Sequence, residues 1–248
     1  MEMADGKVVL VTGGGSGMGQ AGAQIFAREG AEHVYVVDVN DEGGEQTVKA
    51  VTGAGGSATF AHVDVTDDAA VSALVARIVG EHGRLDAAWN NAGITDDSRP
   101  FNELDMAHWD RMIAVNLTSV FICMRHEITQ MLAQGGGAIV NTSSGAGLAP
   151  APGLPHYTAA KHGVLGLTKV AATEYNKSNI RVNAVCPGMV DTPMLRSWNG
   201  LEEMLPYLPG GKLGLPSQVA EAAVWLCSDS ADWVSGVSMV VDGGGMAH

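Results

Sequence analysis

The chain has 248 residues, 46% of them hydrophobic, and 14 basic against 27 acidic side chains leave a formal charge of −13. That length and apolar content suit one large α/β domain with a sizeable core and exclude a disordered chain. So acidic a surface repels phosphate backbones and anionic headgroups, so no nucleic-acid or membrane partner is expected. No run of about eighteen apolar residues occurs, and Met1–Lys7 lacks the basic and apolar regions of a secretion signal, so the expectation is a cytoplasmic protein. Cys123, Cys186 and Cys227 are sparse and odd in number, with no Cys-x-x-Cys spacing. They predict a reducing compartment, no disulfide scaffold and no metal site, and they read as small core residues.

Apolar runs and helical patterns then alternate along the chain. Val8-Val9-Leu10-Val11 ends at a glycine cluster, and Val34-Tyr35-Val36-Val37 ends at Asp38. Further runs lie at Ala58–Val63, Leu85–Trp89, Ala138–Val140, Ile180–Cys186 and Ser238–Val241. Continuous Val/Ile-rich runs suit strands buried on both faces of a parallel sheet. Thr66 reads as the N-cap of a helix whose apolar face is Val71, Leu74, Val75, Ile78 and Val79, stopped at Gly83. Ser217 precedes Val219, Ala222, Ala223 and Leu226 in the same manner. The alternation predicts a single-domain, Rossmann-like doubly wound α/β fold over residues 1–248: a seven-stranded parallel sheet with helices on both faces.

Directly after the first strand stands Thr12-Gly13-Gly14-Gly15-Ser16-Gly17-Met18-Gly19, followed by a helical stretch. Glycines let a backbone turn sharply and approach a pyrophosphate, whose charge then sits on the helix N-terminus. Gly13, Gly15, Ser16, Gly17, Met18 and Gly19 are therefore candidate cofactor contacts. Asp38, at the end of the second strand, is placed to accept the adenosine ribose hydroxyls and to repel a 2′-phosphate, which predicts NAD. Asp64, with Val65, ends the third strand at the same edge and is a candidate for the adenine end; an Asp there also suits a turn.

Tyr157-Thr158-Ala159-Ala160-Lys161 places a phenol and an ammonium on one helical face. A nearby cation favours phenolate, and a phenol of depressed pKa moves protons to or from an alcohol oxygen. Ser144 lies thirteen residues upstream, after a strand that would end at the same edge.

These residues, with Asn90-Asn91-Ala92-Gly93, Asn116, Pro187-Gly188 and Val241-Asp242-Gly243-Gly244, occur in the order and spacing of the short-chain dehydrogenase/reductases, which the chain resembles over its whole length. The resemblance implies that Tyr157 is the general acid/base, that Ser144 holds the substrate oxygen, and that Ser143 is structural. It implies that Lys161 binds the nicotinamide ribose and lowers the Tyr157 pKa, and that Asn116 holds a water on the proton path. It also implies cofactor contacts from Asn91, Ala92 and Gly93 and from Pro187, Gly188, Val190 and Thr192, with Asn90 tying the sheet together, and a homotetramer built on two long helices, those containing Trp109–Met131 and Tyr157–Tyr175, and on the C-terminal strand region. Val164, Leu165, Leu167, Val170 and Ala171 exceed what one helical face needs, which fits a second buried face.

Three features depart from the family pattern. Gly30–Val34 is one residue longer than usual, which leaves the register of Asp38 open. Trp89 replaces a small aliphatic residue and reads as core. Met18 replaces Ile or Leu, a near-neutral change. The stretch from about 189 to 214 carries Met189, Met194, Leu195, Trp198, Leu201, Met204, Leu205, Tyr207 and Leu208, which suits an apolar lid over a small-molecule substrate. Ile94, Leu148, Ala149, Pro150, Pro152 and Leu154 are expected on the opposite wall. His156, turned roughly 100° from Tyr157 on the helix, reads as structural. The expected activity is hydride transfer between NAD(H) and a secondary alcohol or ketone of largely apolar or cyclic character. A 3-oxoacyl-carrier-protein reductase and a nucleotide-sensing regulator are the alternatives.

Overall fold

The computed structural model describes residues 2–198 and 200–247. The strands are β1 (Val8–Thr12), β2 (His33–Asp38), β3 (Ala58–His62), β4 (Ala87–Asn90), β5 (Gly137–Thr142), β6 (Ile180–Pro187) and β7 (Ser238–Val241). They form one seven-stranded sheet in the order β3-β2-β1-β4-β5-β6-β7, parallel throughout. The order reverses beside β1, because the chain returns from β3 to pair β4 on the other side of β1. Loops above β1 and β4 therefore part at this switch point, where open α/β sheets bind ligands. β1 and β4 are buried at every position, which accounts for their unbroken apolar sequences.

The helices are α1 (Gly17–Arg28), α2 (Asp41–Gly53), α3 (Asp68–His82), α4 (Met106–Ile113), α5 (Ser119–Gln134), α6 (Pro155–Tyr175), α7 (Pro193–Arg196), α8 (Leu201–Met204) and α9 (Pro216–Cys227). Alternate strand residues divide the core in two. Leu10, Tyr35, Ala88 and Ile139 pack against α3, α5 and α6, whereas Val11, Val36, Trp89 and Val140 pack against α1, α2 and α9. Trp89 is fully buried, as expected, and its indole N–H donates to Thr142 Oγ1 at 2.9 Å. Its ring lies directly against α1 at Gly22, where a Cβ would come 2.1 Å from the indole.

Two helix starts differ from expectation. Asp67, not Thr66, caps α3, its carboxylate accepting from Ala69 N–H at 2.9 Å and Ala70 N–H at 3.0 Å. Thr66 instead donates its hydroxyl to Asp64. α9 begins at Pro216, which lacks the N–H that would be orphaned at a first helical position, so Ser217 lies inside the helix. The left-handed stop at Gly83 is as expected. The long helix expected around Trp109–Met131 is two helices joined by a π-helical turn, Ala114–Thr118. Its extra residue per turn has no counterpart in a 3.6-residue apolar pattern. No helix among the described residues is long and apolar enough to cross a membrane.

Candidate active site

The site is assembled at the carboxyl ends of β4, β5 and β6. β5 delivers Ser143 and Ser144, and Ser143 N–H donates to Val185 O at 2.8 Å, so the serine loop is tied to β6. α6 starts at Pro155, which puts Tyr157 in its first turn and Lys161 one turn on. The Ser143 hydroxyl donates to Lys161 O at 2.8 Å, the structural role expected of it. That close approach depends on Gly147, where a Cβ would fall 2.2 Å from Ser143 Oγ and 2.8 Å from Lys161 O. Lys161 is buried, donates from Nζ to Thr142 O at 2.9 Å, and has that nitrogen 5.6 Å from the centre of the Tyr157 ring.

Burial governs the electrostatics. It pushes the Lys161 ammonium down to about 8. It also pushes the half-buried Tyr157 phenol above its ordinary value, opposed by a hydrogen bond with Ser144. The depression expected of Tyr157 from Lys161 is therefore not what the geometry gives. The ammonium is the group brought toward neutrality, because its partner is a neutral carbonyl and no carboxylate.

Asn116 lies in the π-turn, fully buried. Its Oδ1 accepts from Ile94 N–H at 3.1 Å and its Nδ2 donates to Ile94 O at 3.0 Å, so the side chain clamps the loop after β4. Asn90 ties the interior, as expected, donating to Glu127 Oε2 at 3.0 Å and Asn141 Oδ1 at 3.1 Å. Asn91 donates to Thr12 O at 3.2 Å, and Ala92 N–H reaches Thr12 Oγ1 at 3.1 Å; both join the end of β1 to the end of β4.

The glycine turn fits an anionic dinucleotide. α1 starts at Gly17 behind Ser16, whose side chain makes no cap hydrogen bond, so the first helical N–H groups are free for a ligand. Asp38 Oδ2 accepts from Gly15 N–H at 2.9 Å and its Oδ1 from Asn40 N–H at 3.0 Å, which settles its register beside the turn. Thr192 packs on Gly17, where a Cβ would meet its methyl at 3.0 Å. Asp64 is exposed and accepts from Thr66 N–H at 2.9 Å, a turn-forming role, and the Val65 side chain faces the core.

A cleft of about 370 Å³ opens between these elements. Met18, Asn91, Gly93, Asn116, Ser144, Tyr157, Lys161, Pro187, Gly188, Val190 and Thr192 line it. Its apolar walls are Ile94, Ala151 and Leu154 on one side and Met189, Met194, Leu195 and Trp198 on the other. Leu148, Ala149, Pro150 and Pro152 do not reach it. Nor do Leu201, Met204, Leu205 and Tyr207, and Leu208 lines a separate cavity beneath the same segment. The segment's two ends are pinned together, Asp191 N–H donating to Gly214 O at 2.8 Å and Gly214 N–H to Met189 O at 3.0 Å.

Comparison with known proteins agrees with this geometry. Residues 13–246 match a family model described as "Enoyl-(Acyl carrier protein) reductase". A 2,5-dichloro-2,5-cyclohexadiene-1,4-diol dehydrogenase of Sphingobium indicum is 42% identical over 250 residues, 98% of each chain. A cyclohexanol dehydrogenase of Acinetobacter sp. is 42% identical over 237 residues, 96% of this chain and 94% of its own. The crystal structure of levodione reductase superposes with a TM-score of 0.94 at 36% identity, covering 99% of this chain and all of that one. The chain belongs to the short-chain dehydrogenase/reductase family.

The three cysteines are packed as core residues, as their sparse spacing suggested. All are free and buried, and burial raises each thiol, Cys227 to about 12, so none is available as a thiolate. Sequence reasoning missed Thr142, whose main-chain carbonyl holds Lys161, because a carbonyl acceptor carries no residue signature. It also missed Asp96 on the cleft wall, an acid in a loop without periodicity.

Proposed function

We propose that this short-chain dehydrogenase/reductase oxidises a cyclic secondary alcohol to its ketone, and reverses the step, with NAD as cofactor. The observation that carries the reading is Tyr157 beside Ser144 and the buried Lys161 at the floor of a cleft with apolar walls. In oxidation the Tyr157 phenolate takes the carbinol proton while the Ser144 hydroxyl holds the same oxygen in line. Lys161, fixed through Thr142 O, grips the nicotinamide ribose and returns the proton toward solvent past the Asn116 turn. A bound dinucleotide would supply the hydride acceptor; the α1 N-terminus would hold its phosphates, and Val190 and Thr192 its carboxamide. The 189–214 segment acts as the lid. Ring alcohols are the named substrates of both relatives, and Met and Trp side chains adapt to a compact ring. Tyr157→Phe should keep cofactor affinity and lose at least about a hundredfold in turnover of cyclohexanol, the low end for a general base. Turnover retained in that variant would remove the reading.

NAD follows from Asp38. Its carboxylate already takes two main-chain N–H groups, which orients it and leaves about two acceptor positions for ribose hydroxyls. A 2′-phosphate would remove one such bond and set like charges together. The preference for NAD is therefore about a hundredfold or more in kcat/KM. Asp38→Ala should narrow it, read from initial rates with both cofactors.

A carrier-protein substrate is disfavoured by the lid, where Arg196 is held by Asp191 at 2.8 Å instead of standing free for an acidic partner. The assembly we propose is a homotetramer. Val164, Leu165 and Ala171 are already buried within one chain, contrary to the expectation that they form a second face. The argument passes to Phe121 and Leu132 on α5 and Val170 on α6, which stay exposed. A monomeric mass by light scattering at micromolar concentration would exclude it.

A further inference from the structure

One carboxylate interrupts the apolar cleft. Asp96 follows Ile94 in the loop after β4 and lines the same cavity as Ser144 and Tyr157. Its Oδ1 accepts from Asp97 N–H at 2.9 Å. Its Oδ2 lies 3.5 Å from His156 Nε2 and 3.8 Å from His108 Nε2, and Arg99 stands 3.7 Å from Oδ1. These longer contacts are ion-pair distances, beyond a good hydrogen bond. Among the described residues, Oδ2 has no donor at hydrogen-bond geometry. His156 is fully buried behind it, with neither ring nitrogen hydrogen-bonded. The Asp97 N–H, His156, Arg99 and His108 together hold the carboxyl below its usual range against the effect of burial, so it stands ionised.

The chemistry of such a wall is selective. An ionised acceptor with unspent lone pairs loses hydration when a ring covers it, and a hydrocarbon ring returns nothing. A hydroxyl group returns a charge-assisted hydrogen bond. An anionic ring meets a like charge. A cationic ring meets Arg99, which already balances the carboxylate. The partner this wall suits is a neutral donor carried on the ring away from the reacting carbinol.

We propose that Asp96 is a specificity-determining residue that binds a second hydroxyl of the substrate, so that the preferred class is a cyclic diol over a cycloalkanol or a ring acid. The proposal rests on the reading of the cleft as a cyclic-alcohol site.

The test compares cis-cyclohexane-1,4-diol, cyclohexanol and cis-4-hydroxycyclohexanecarboxylate. Each is measured by calorimetric binding with NAD present and by initial oxidation rates, in the unmodified protein and in Asp96→Asn. The unmodified protein should favour the diol over cyclohexanol by about tenfold in Kd and in kcat/KM, the scale of one hydrogen bond to a charged group. Asp96→Asn should narrow that ratio to within about threefold and strengthen binding of the ring acid several-fold. The second effect is a gain and cannot come from misfolding. No diol preference in the unmodified protein, or a preference and a ring-acid affinity both unmoved in Asp96→Asn, overturns the proposal. Diol-selective binding that depends on Asp96 without turnover of any alcohol would sink the dehydrogenase reading and leave the Asp96 subsite standing.

Discussion

At the scale of single residues, the side chain expected to set the working pH of the proposed reaction is Lys161. Its folded value of about 8 lies below that of a free lysine, and the Tyr157 phenol lies above a free tyrosine. The first proton to leave is therefore the Lys161 ammonium's, near 8, and the neutral amine it leaves can take the Tyr157 proton in turn. Oxidation needs the pair to have lost that proton. Its kcat/KM should therefore rise with pH through one apparent pKa near 8, and reduction should fall through the same point. Lys161→Met leaves only the buried phenol. The rise should then move above about 10, with a loss of roughly a hundredfold at pH 8. A variant profile still rising near 8 would point to another base. Tyr157 and Lys161 were legible in the sequence because i and i+4 share a helical face. The direction of their shifts was not, because it depends on the Thr142 carbonyl and on burial, both set by distant segments.

At the scale of elements, strand positions were legible and helix junctions less so. Ala58–Val63 and Ser238–Val241 correspond to β3 and β7 almost residue for residue, although both are edge strands and only partly buried. The starts of α3 and α9 shifted by one or two residues, since neighbouring Thr, Asp, Ser and Pro all suit a helix entry. The contact of α1 with β4 rests on a matched pair, Gly22 under Trp89. Gly22→Ala should lower stability by about 1–3 kcal/mol through overpacking. In Gly22→Ala/Trp89→Leu the added methyl finds room, so the double variant should cost less than the sum of the singles by at least about 1 kcal/mol. Denaturant midpoints at constant m-value measure both. Strict additivity would mean that the helix moves away from the ring instead of pressing on it.

At the scale of the molecule, the packing of α5 on the sheet holds the Glu127 carboxyl out of water. Glu127 on α5 is fully buried, and burial raises it to about 7 against the hydrogen bond from Asn90. Among the described residues, its Oε1 and the Asn90 Oδ1 have no hydrogen-bond partner. The folded value exceeds the unfolded one, so between roughly pH 4.5 and 7 the folded protein binds more protons. The contribution of Glu127 to stability is therefore present at low pH and is lost as pH rises through about 7. Glu127→Gln should match the unmodified protein near pH 4.5 and exceed its stability by up to about 3 kcal/mol at pH 8. Unfolding curves of both proteins at the two pH values give the difference. An unmodified protein as stable as the variant at pH 8 would mean that the carboxylate is solvated or paired after all.

The order of motifs along the chain was enough to determine the family and the doubly wound sheet, and to single out Ser144, Tyr157, Lys161 and Asp38 as candidate site residues. Each of these depends on local geometry: a strand end, a helical turn, a glycine-rich bend. Tertiary structure alone decided that Asp38 abuts the Gly15 N–H despite an extra residue before β2, and that a π-turn carries Asn116. It also decided that Asp96, on the cleft wall, is backed by His156 from a distant part of the chain. The reason is physical. Periodicity reports which face of an element is apolar. Hydrogen-bond partners, burial and charge balance at the cleft belong to contacts between segments that no local pattern encodes.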